Sequence, residues 1–251
     1  MIELYHSPIS TCSQKVRLAL AEKGLTYEDR TVNLSKLGHL DPEYLKINPN
    51  GVVPSIVHDG QPIIDSSVIC EYLDEVFPEP ALSPAGPVGR AQMRAWLRFL
   101  EEVPTAAIRA PSFNAFFAKA LWSRGEEAFE QMRAKMPLRK QWYSKMSESG
   151  FDQAEVDSSK ERLRSALERA EKSLSSGRWL VGDHVTLADI CYMPTVVRMD
   201  DLGYSEMWQD LPGVIDWFAR VQARPSFSKA YFPGSRIDRS TYSFKLTDDD
   251  A

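Results

Sequence analysis

Between Phe77 and Pro87 the chain carries prolines at 78, 80, 84 and 87 and a glycine at 86, a run that breaks both helices and β-ladders. On its two sides the hydrophobic residues follow different periods. Two domains are therefore expected: residues 1–78, a linker over 79–88, a second domain over 89–232 and a solvated tail over 233–251.

Before the break, Ile2–His6 reads as a strand and Ser13–Lys23 as a helix closed by Gly24, the residue that most readily takes the left-handed position after a helix. Tyr27–Asn33 is a second candidate strand, and Asp41-Pro42 opens a helix with Tyr44, Leu45 and Ile47 as its apolar positions. Pro54–His58 and Gln61–Ile64 flank Asp59-Gly60, the signal for a two-residue hairpin turn. Asp65-Ser66 then caps a helix bearing Val68, Ile69, Tyr72, Leu73 and Val76 at helical spacing. After the break strand signals nearly vanish. Arg90–Val103, Lys160–Leu174, Leu187–Met199 and Val214–Arg224 all carry helix-period apolar residues. An α/β domain followed by an all-α domain is the expected fold class.

Charge and composition narrow the partners. A net charge of -5 supplies no general attraction to phosphate, which disfavours nucleic acid. No apolar run approaches the roughly 20 residues of a membrane span, and Met1 leads into Ile2-Glu3-Leu4-Tyr5 without a signal-like stretch, so neither membrane insertion nor secretion is expected. Cys12, Cys70 and Cys191 are too far apart for a close-spaced zinc motif and odd in number, which suits a reducing, cytoplasmic setting and no metal. A small-molecule partner remains. Ser10, Cys12 and Ser13 lie at a helix start, where unpaired N–H groups and the dipole favour an anion; the alternative is that they only cap the helix. Thr186 and Asp189 have the spacing of a capping box. Phe113, Phe116, Phe117, Trp122, Trp142 and Tyr143 make the front half of the helical domain aromatic, as an apolar pocket or as plain core.

Four separated segments together resemble the glutathione transferase superfamily: Ser10-Thr11-Cys12-Ser13, Asn48-Pro49-Asn50-Gly51-Val52-Val53-Pro54, Asp65-Ser66 with Val68-Ile69-Cys70-Glu71-Tyr72-Leu73, and Thr186-Leu187-Ala188-Asp189-Ile190. The resemblance implies a thioredoxin-like domain followed by a helical one, a homodimer, and glutathione as cosubstrate. It implies that Val53 precedes a cis Pro54 and pairs with the cysteinyl part of glutathione, that Asp65 and Ser66 bind the γ-glutamyl end, and that His39 and Lys36 lie near the glycine carboxylate. It also implies that Ser10 or Ser13 faces the thiolate, with Ser10 favoured as the residue just before the helix.

The N-terminal motif resembles the zeta class, which includes maleylacetoacetate isomerases, and a similar Ser-x-Cys-Ser element occurs in reductive dehalogenases, where the cysteine is catalytic. Lys46-Ile47-Asn48-Pro49, His58-Asp59-Gly60, Val76-Phe77-Pro78-Glu79, Ala188-Asp189-Ile190-Cys191, Ala223-Arg224-Pro225 and the long segment from Lys119 to Gln153 resemble the bacterial β-etherases. Those relatives have an Asn-Ser pair where this chain has Cys12-Ser13, and no serine at the position of Ser10. The expected chemistry is attack of a glutathione thiolate on an electrophilic, aromatic or apolar substrate, with Phe113, Phe116, Phe117 and Trp142 lining the acceptor pocket and an aryl ether as a candidate substrate. Isomerisation, dehalogenation through Cys12 and a non-catalytic binding module are the alternatives.

Overall fold

The computed structural model describes residues 1–237. Its N-terminal part runs β1 (Ile2–His6), α1 (Thr11–Glu22), β2 (Glu28–Thr31), α2 (Pro42–Ile47), β3 (Ser55–His58), β4 (Gln61–Ile64) and α3 (Ser66–Val76). The strands form one mixed sheet in the order β2-β1-β3-β4. β1 pairs parallel with β2 and antiparallel with β3, and β3 and β4 form the hairpin. Asp59 and Gly60 have φ of 50° and 78°, the two positive values that let a two-residue turn follow the sheet twist. β1 alternates with Ile2, Leu4 and His6 inward, whereas β2 is exposed throughout, as suits an edge strand.

The helical part runs α4 (Pro87–Glu102), α5 (Pro104–Ala107), α6 (Arg109–Phe116), α7 (Ala118–Leu121), α8 (Glu126–Ala134), α9 (Lys140–Tyr143), α10 (Gln153–Leu174), α11 (Leu187–Asp201), α12 (Pro212–Gln222) and α13 (Pro225–Ala230). The four long periodic segments of the sequence correspond to α4, α10, α11 and α12. The intervening short helices escape a period-based reading because Pro104, Pro111, Gly125 and Pro137 interrupt the pattern every few residues.

The proline-rich break does not separate two independent cores. Leu4, Val16, Leu20, Ile56 and Leu73 belong to the same buried cluster as Leu97, Leu163, Leu187, Tyr192 and Trp217. α1 packs against α3 and also against α11 and α13. The expected linker is itself fixed in place. Leu82 is 2% exposed, its N–H donates to Asp74 Oδ1 (2.8 Å) and its carbonyl accepts from Leu187 N–H (2.9 Å). Lys23 Nζ joins Asp74 Oδ1 (2.7 Å) to the Pro80 carbonyl (2.8 Å), so this buried ion pair also holds the chain reversal. α4 begins at Pro87, inside the expected linker, because proline suits a first helical turn.

Asp189 is the polar centre of the helical part. Its Oδ2 accepts from Thr186 N–H (2.9 Å) and Thr186 Oγ1 (3.0 Å), and its Oδ1 from Leu180 N–H (3.0 Å) and Trp217 Nε1 (2.9 Å). The box that caps α11 thereby also anchors the 180 loop and α12.

Residues 235–237 correct the expected tail. Ser235 and Ile237 are fully buried, the Ser235 carbonyl accepts from Gln14 Nε2 (2.8 Å), and Arg236 pairs with Asp200 (2.9 Å) and Asp201 (2.6 Å). Ser235, Arg236 and Ile237 are thus packed against α1 and α11, whereas Pro233 and Gly234 are exposed as expected. The remainder of that expected tail, 238–251, lies outside the described residues.

Candidate active site

The site is built on the turn between β1 and α1, whose carbonyls are held by arginines. Arg17, buried on α1, donates Nη1 to the Ser7 carbonyl (3.3 Å) and Nη2 to the Pro8 carbonyl (2.7 Å), while Arg198 of α11 donates Nη2 to the Ile9 carbonyl (2.6 Å). Three consecutive carbonyls are thus fixed by side chains from both halves of the fold. The turn delivers Ser10 to the N-cap of α1, where its Oγ accepts from Ser13 N–H (3.3 Å). With the hydroxyl oxygen engaged by the backbone, its proton is free to donate outward.

Ser10, Thr11 and Cys12 line a cavity of about 160 Å³ between the two halves. That volume is similar to a cavity able to hold one benzene ring, about 150 Å³. Its thioredoxin-like wall includes Leu37, His39, Asn50, Gly51 and Val53; its helical wall includes Ile108, Arg109, Phe113, Phe117, Tyr143 and Arg139. Gly51 allows the two walls to meet: at φ +58°, a Cβ there would lie 2.9 Å from Pro137 Cδ. The short-helix segment is tied down behind this contact. Asn114 Nδ2 donates to the Phe151 carbonyl (2.8 Å) and Phe151 N–H donates to Asn114 Oδ1 (2.7 Å), with Gly150 at φ +94° beside them.

The fold treats the expected residues unequally. Ser10, Cys12, His39, Val53, Phe113 and Phe117 come together at the cavity. Ser13 does not: it is fully buried and its Oγ accepts from Ser7 N–H (3.3 Å), so its hydroxyl stabilises the turn from behind. Phe116 packs on the main core instead. Trp142 packs against a separate buried cluster that includes Leu121, Phe129, Met132 and Tyr143, its ring 4.8 Å from that of Phe113 and 4.5 Å from that of Phe151. Lys36 is not among the cavity residues. Tyr5, the nearby tyrosine of β1, turns its hydroxyl to Glu3 (3.2 Å).

The Val53–Pro54 bond is cis, and Val53 makes no backbone hydrogen bond within the described residues, while the neighbouring Val52 carbonyl is occupied by Tyr44 Oη (2.6 Å) and Asn48 Nδ2 (2.8 Å). An open N–H and C=O beside the cavity form an edge on which a peptide-like ligand can pair. Farther along, Asp65 takes φ 71° and caps α3, its Oδ1 accepting from Ser67 N–H (3.0 Å) and Val68 N–H (3.2 Å). Ser66 is buried at the first position of that helix, where N–H groups favour a carboxylate.

Charge in the cavity comes from residues that sequence reasoning missed. Arg109, Arg139 and Arg198 line it, and among the described residues no Asp or Glu does. Burial, reinforced by Arg139, lowers His39 to about 4, so at neutral pH its imidazole is an uncharged hydrogen-bonding group. Beneath the start of α1, Lys15 is fully buried and donates to Glu101 Oε1 (2.5 Å) and Thr105 Oγ1 (3.1 Å). Burial opposes its charge, yet Cys12 and Glu101 hold its ammonium above the ordinary range. The only sequence signal for the arginines is their place in apolar surroundings, Ile108-Arg109-Ala110 and Pro137-Leu138-Arg139. No group of three or more His, Cys, Asp or Glu able to hold a metal occurs among the described residues.

Comparison with known proteins adds the lineage. The glutathione S-transferase N-terminal domain family matches residues 4–81 and the glutathione S-transferase C-terminal domain family residues 126–225. Protein LigF of Sphingobium sp. strain SYK-6 is 32% identical over 94% of this chain and 95% of its own. The crystal structure of the β-etherase LigF superposes with a TM-score of 0.81, covering 92% of this chain and 98% of that one. The maleylacetoacetate isomerase of Mus musculus is 35% identical over 78% of this chain and 77% of its own.

Proposed function

The chain belongs to the glutathione S-transferase family, and we propose that within it this protein cleaves β-aryl ethers by attack of a bound glutathione thiolate. The observation that carries this reading is the likeness to a β-etherase over nearly the whole chain, in sequence and in fold. The apolar and aromatic wall of Phe113, Phe117, Leu121 and Tyr143 is consistent with an aromatic acceptor.

In this reading glutathione lies along the thioredoxin-like wall. Its cysteinyl backbone pairs with Val53, its γ-glutamyl end meets Asp65 and the start of α3 at Ser66, and neutral His39 donates a hydrogen bond near its glycine end. The thiol lies against Ser10. A free thiol has a pKa of about 8.5, and lowering it by two units takes about 2.7 kcal/mol. The outward Ser10 hydroxyl and the N-terminus of α1 together supply an effect of that size. The sulfur forms a bond to the carbon that bears the aryloxy group, the carbon–oxygen bond breaks with its electron pair on oxygen, and the phenolate takes a proton from solvent. An adjacent ketone makes that carbon more electrophilic. The protein contributes orientation and anion stabilisation, since the nucleophile arrives with the cosubstrate. We place the enzyme in the cytoplasm, as its three separated cysteines suggest, and as a homodimer, as the family resemblance implies.

A second reading, glutathione-dependent isomerisation of a maleyl diketone, is favoured by the isomerase relatives and by Cys12 at the cavity. Liquid chromatography of a model β-aryl ether bearing an α-ketone, incubated with glutathione, separates the two. Phenol release that survives Cys12→Ser supports ether cleavage. No phenol from either stereoisomer, with good turnover of a maleyl diketone, would establish isomerisation instead.

A further inference from the structure

Two of the three cavity arginines have no assigned work. Arg198 holds the Ile9 carbonyl and faces Asp201 across 3.6 Å, so its charge serves the turn beneath Ser10. Arg109, at the start of α6, and Arg139, just before α9, form no ion pair or side-chain hydrogen bond among the described residues, although both line the cavity. Glu101, the acid closest in effect to Arg109, is already engaged by Lys15. Burial and then the proximity of Arg139 depress Arg109, and the same Arg139 depresses His39. The two guanidinium groups therefore repel each other in a half-buried, largely apolar space whose lining, among the described residues, includes no carboxylate, the nearby Glu101 being taken up by Lys15. Such an arrangement costs stability unless a ligand supplies the missing negative charge.

We infer that Arg109 and Arg139 form a carboxylate-binding site in the acceptor half of the cavity, and that the preferred electrophile is an aromatic compound bearing a carboxylate. The proposal rests on the glutathione-transferase reading above and narrows its acceptor. Both arginines come from the helical part and share their wall with Phe113, Phe117 and Tyr143, the rings against which an aromatic body would lie. The thioredoxin-like wall has its own partners for a peptide, so the anion these arginines await belongs to the second substrate. Guanidinium suits this role because its planar fork matches a carboxylate with two parallel N–H···O bonds and stays charged at every physiological pH.

The test reads binding, so it does not depend on any ether being cleaved. Benzoate and methyl benzoate are titrated calorimetrically into glutathione-saturated native protein, Arg109→Gln and Arg139→Gln, with the far-ultraviolet spectrum and melting temperature of each variant taken as the check on folding. In the native protein benzoate should bind at least tenfold more tightly than its ester, the effect of one charge-assisted hydrogen-bond pair, and each variant should reduce that ratio by about fivefold or more. Should a Gln variant fail to fold, Arg139→Lys, which keeps the charge but loses the fork, is expected to reduce the ratio to an intermediate value. Equal binding of acid and ester by the native protein would overturn the proposal. So would variants that weaken glutathione itself while leaving the acid-to-ester ratio intact, because the arginines would then serve the glycine carboxylate. Loss of ether cleavage with the calorimetric ratio preserved would refute the etherase reading alone.

Discussion

Replacing Ser10 by Ala removes two things at once, the outward hydroxyl proton and the oxygen that accepts Ser13 N–H at 3.3 Å. A hydrogen bond to a charged acceptor contributes about 1.5–3 kcal/mol, so the thiol of bound glutathione should rise by roughly one to two pKa units in the variant. If the native complex titrates near 6.5, turnover at that pH should fall roughly five- to fiftyfold, and raising the pH should recover most of it. The lost cap costs about 0.5–2 kcal/mol of stability by itself. Ser10→Gly separates the effects, since glycine at an N-cap costs only a few tenths of a kcal/mol while removing the same proton. Ultraviolet titration of the thiolate in both variants, beside thermal melts, is the assay. Both should show the raised pKa, and only Ser10→Ala should melt clearly lower. An unshifted thiol in both, or a shift produced by Ser13→Ala with Ser10→Ala silent, would refute the assignment of the proton donor.

Asp65→Asn combined with Ser66→Ala keeps the oxygen that caps α3 but removes the negative charge and the hydroxyl; retention on immobilised glutathione should weaken, by about tenfold or more in Kd. Gly51→Ala places a methyl group 2.9 Å from Pro137 Cδ at φ +58°, and a differential scanning melt should show a loss of roughly 1–3 kcal/mol together with poorer acceptor binding. His39 is held at about 4 in the folded chain against about 6.5 unfolded, so the unfolded state binds the extra proton between those values. Stability should fall as the pH drops from about 6.5 to 4, and denaturant unfolding of His39→Gln should show a shallower slope there, with His6, also depressed by burial, accounting for part of what remains.

The architecture was legible where one residue type settles a local question. Asp59-Gly60 announces the hairpin, Asp65 the start of α3, and the Thr186–Asp189 spacing the start of α11. Ser10 was legible as a cap, and the cap is what delivers its hydroxyl to the cavity. Ser13 looked equivalent in sequence because its distinction is one of direction: its oxygen faces the Ser7 amide on the buried side of the turn. Phe116 and Phe117 are neighbours with opposite fates, one in the main core and one at the cavity, and a short helix broken by proline offers no period from which to tell them apart. Arg109 and Arg139 were invisible for another reason. Their role depends on which acids are absent around them, and that is a property of the folded cavity. The packing of 235–237 likewise depends on Asp200 and Asp201 being presented by α11.

The central claim is that glutathione is consumed as the nucleophile at the Ser10 end of the cavity. Mass-spectrometric counting of products from a β-aryl ether bearing an α-ketone tests it most directly. One glutathionyl thioether for each phenol released, with an equal loss of free glutathione, is the expected result. Conversion of substrate with no glutathione consumed, as an isomerase would give, or phenol release with the thioether absent, would contradict it.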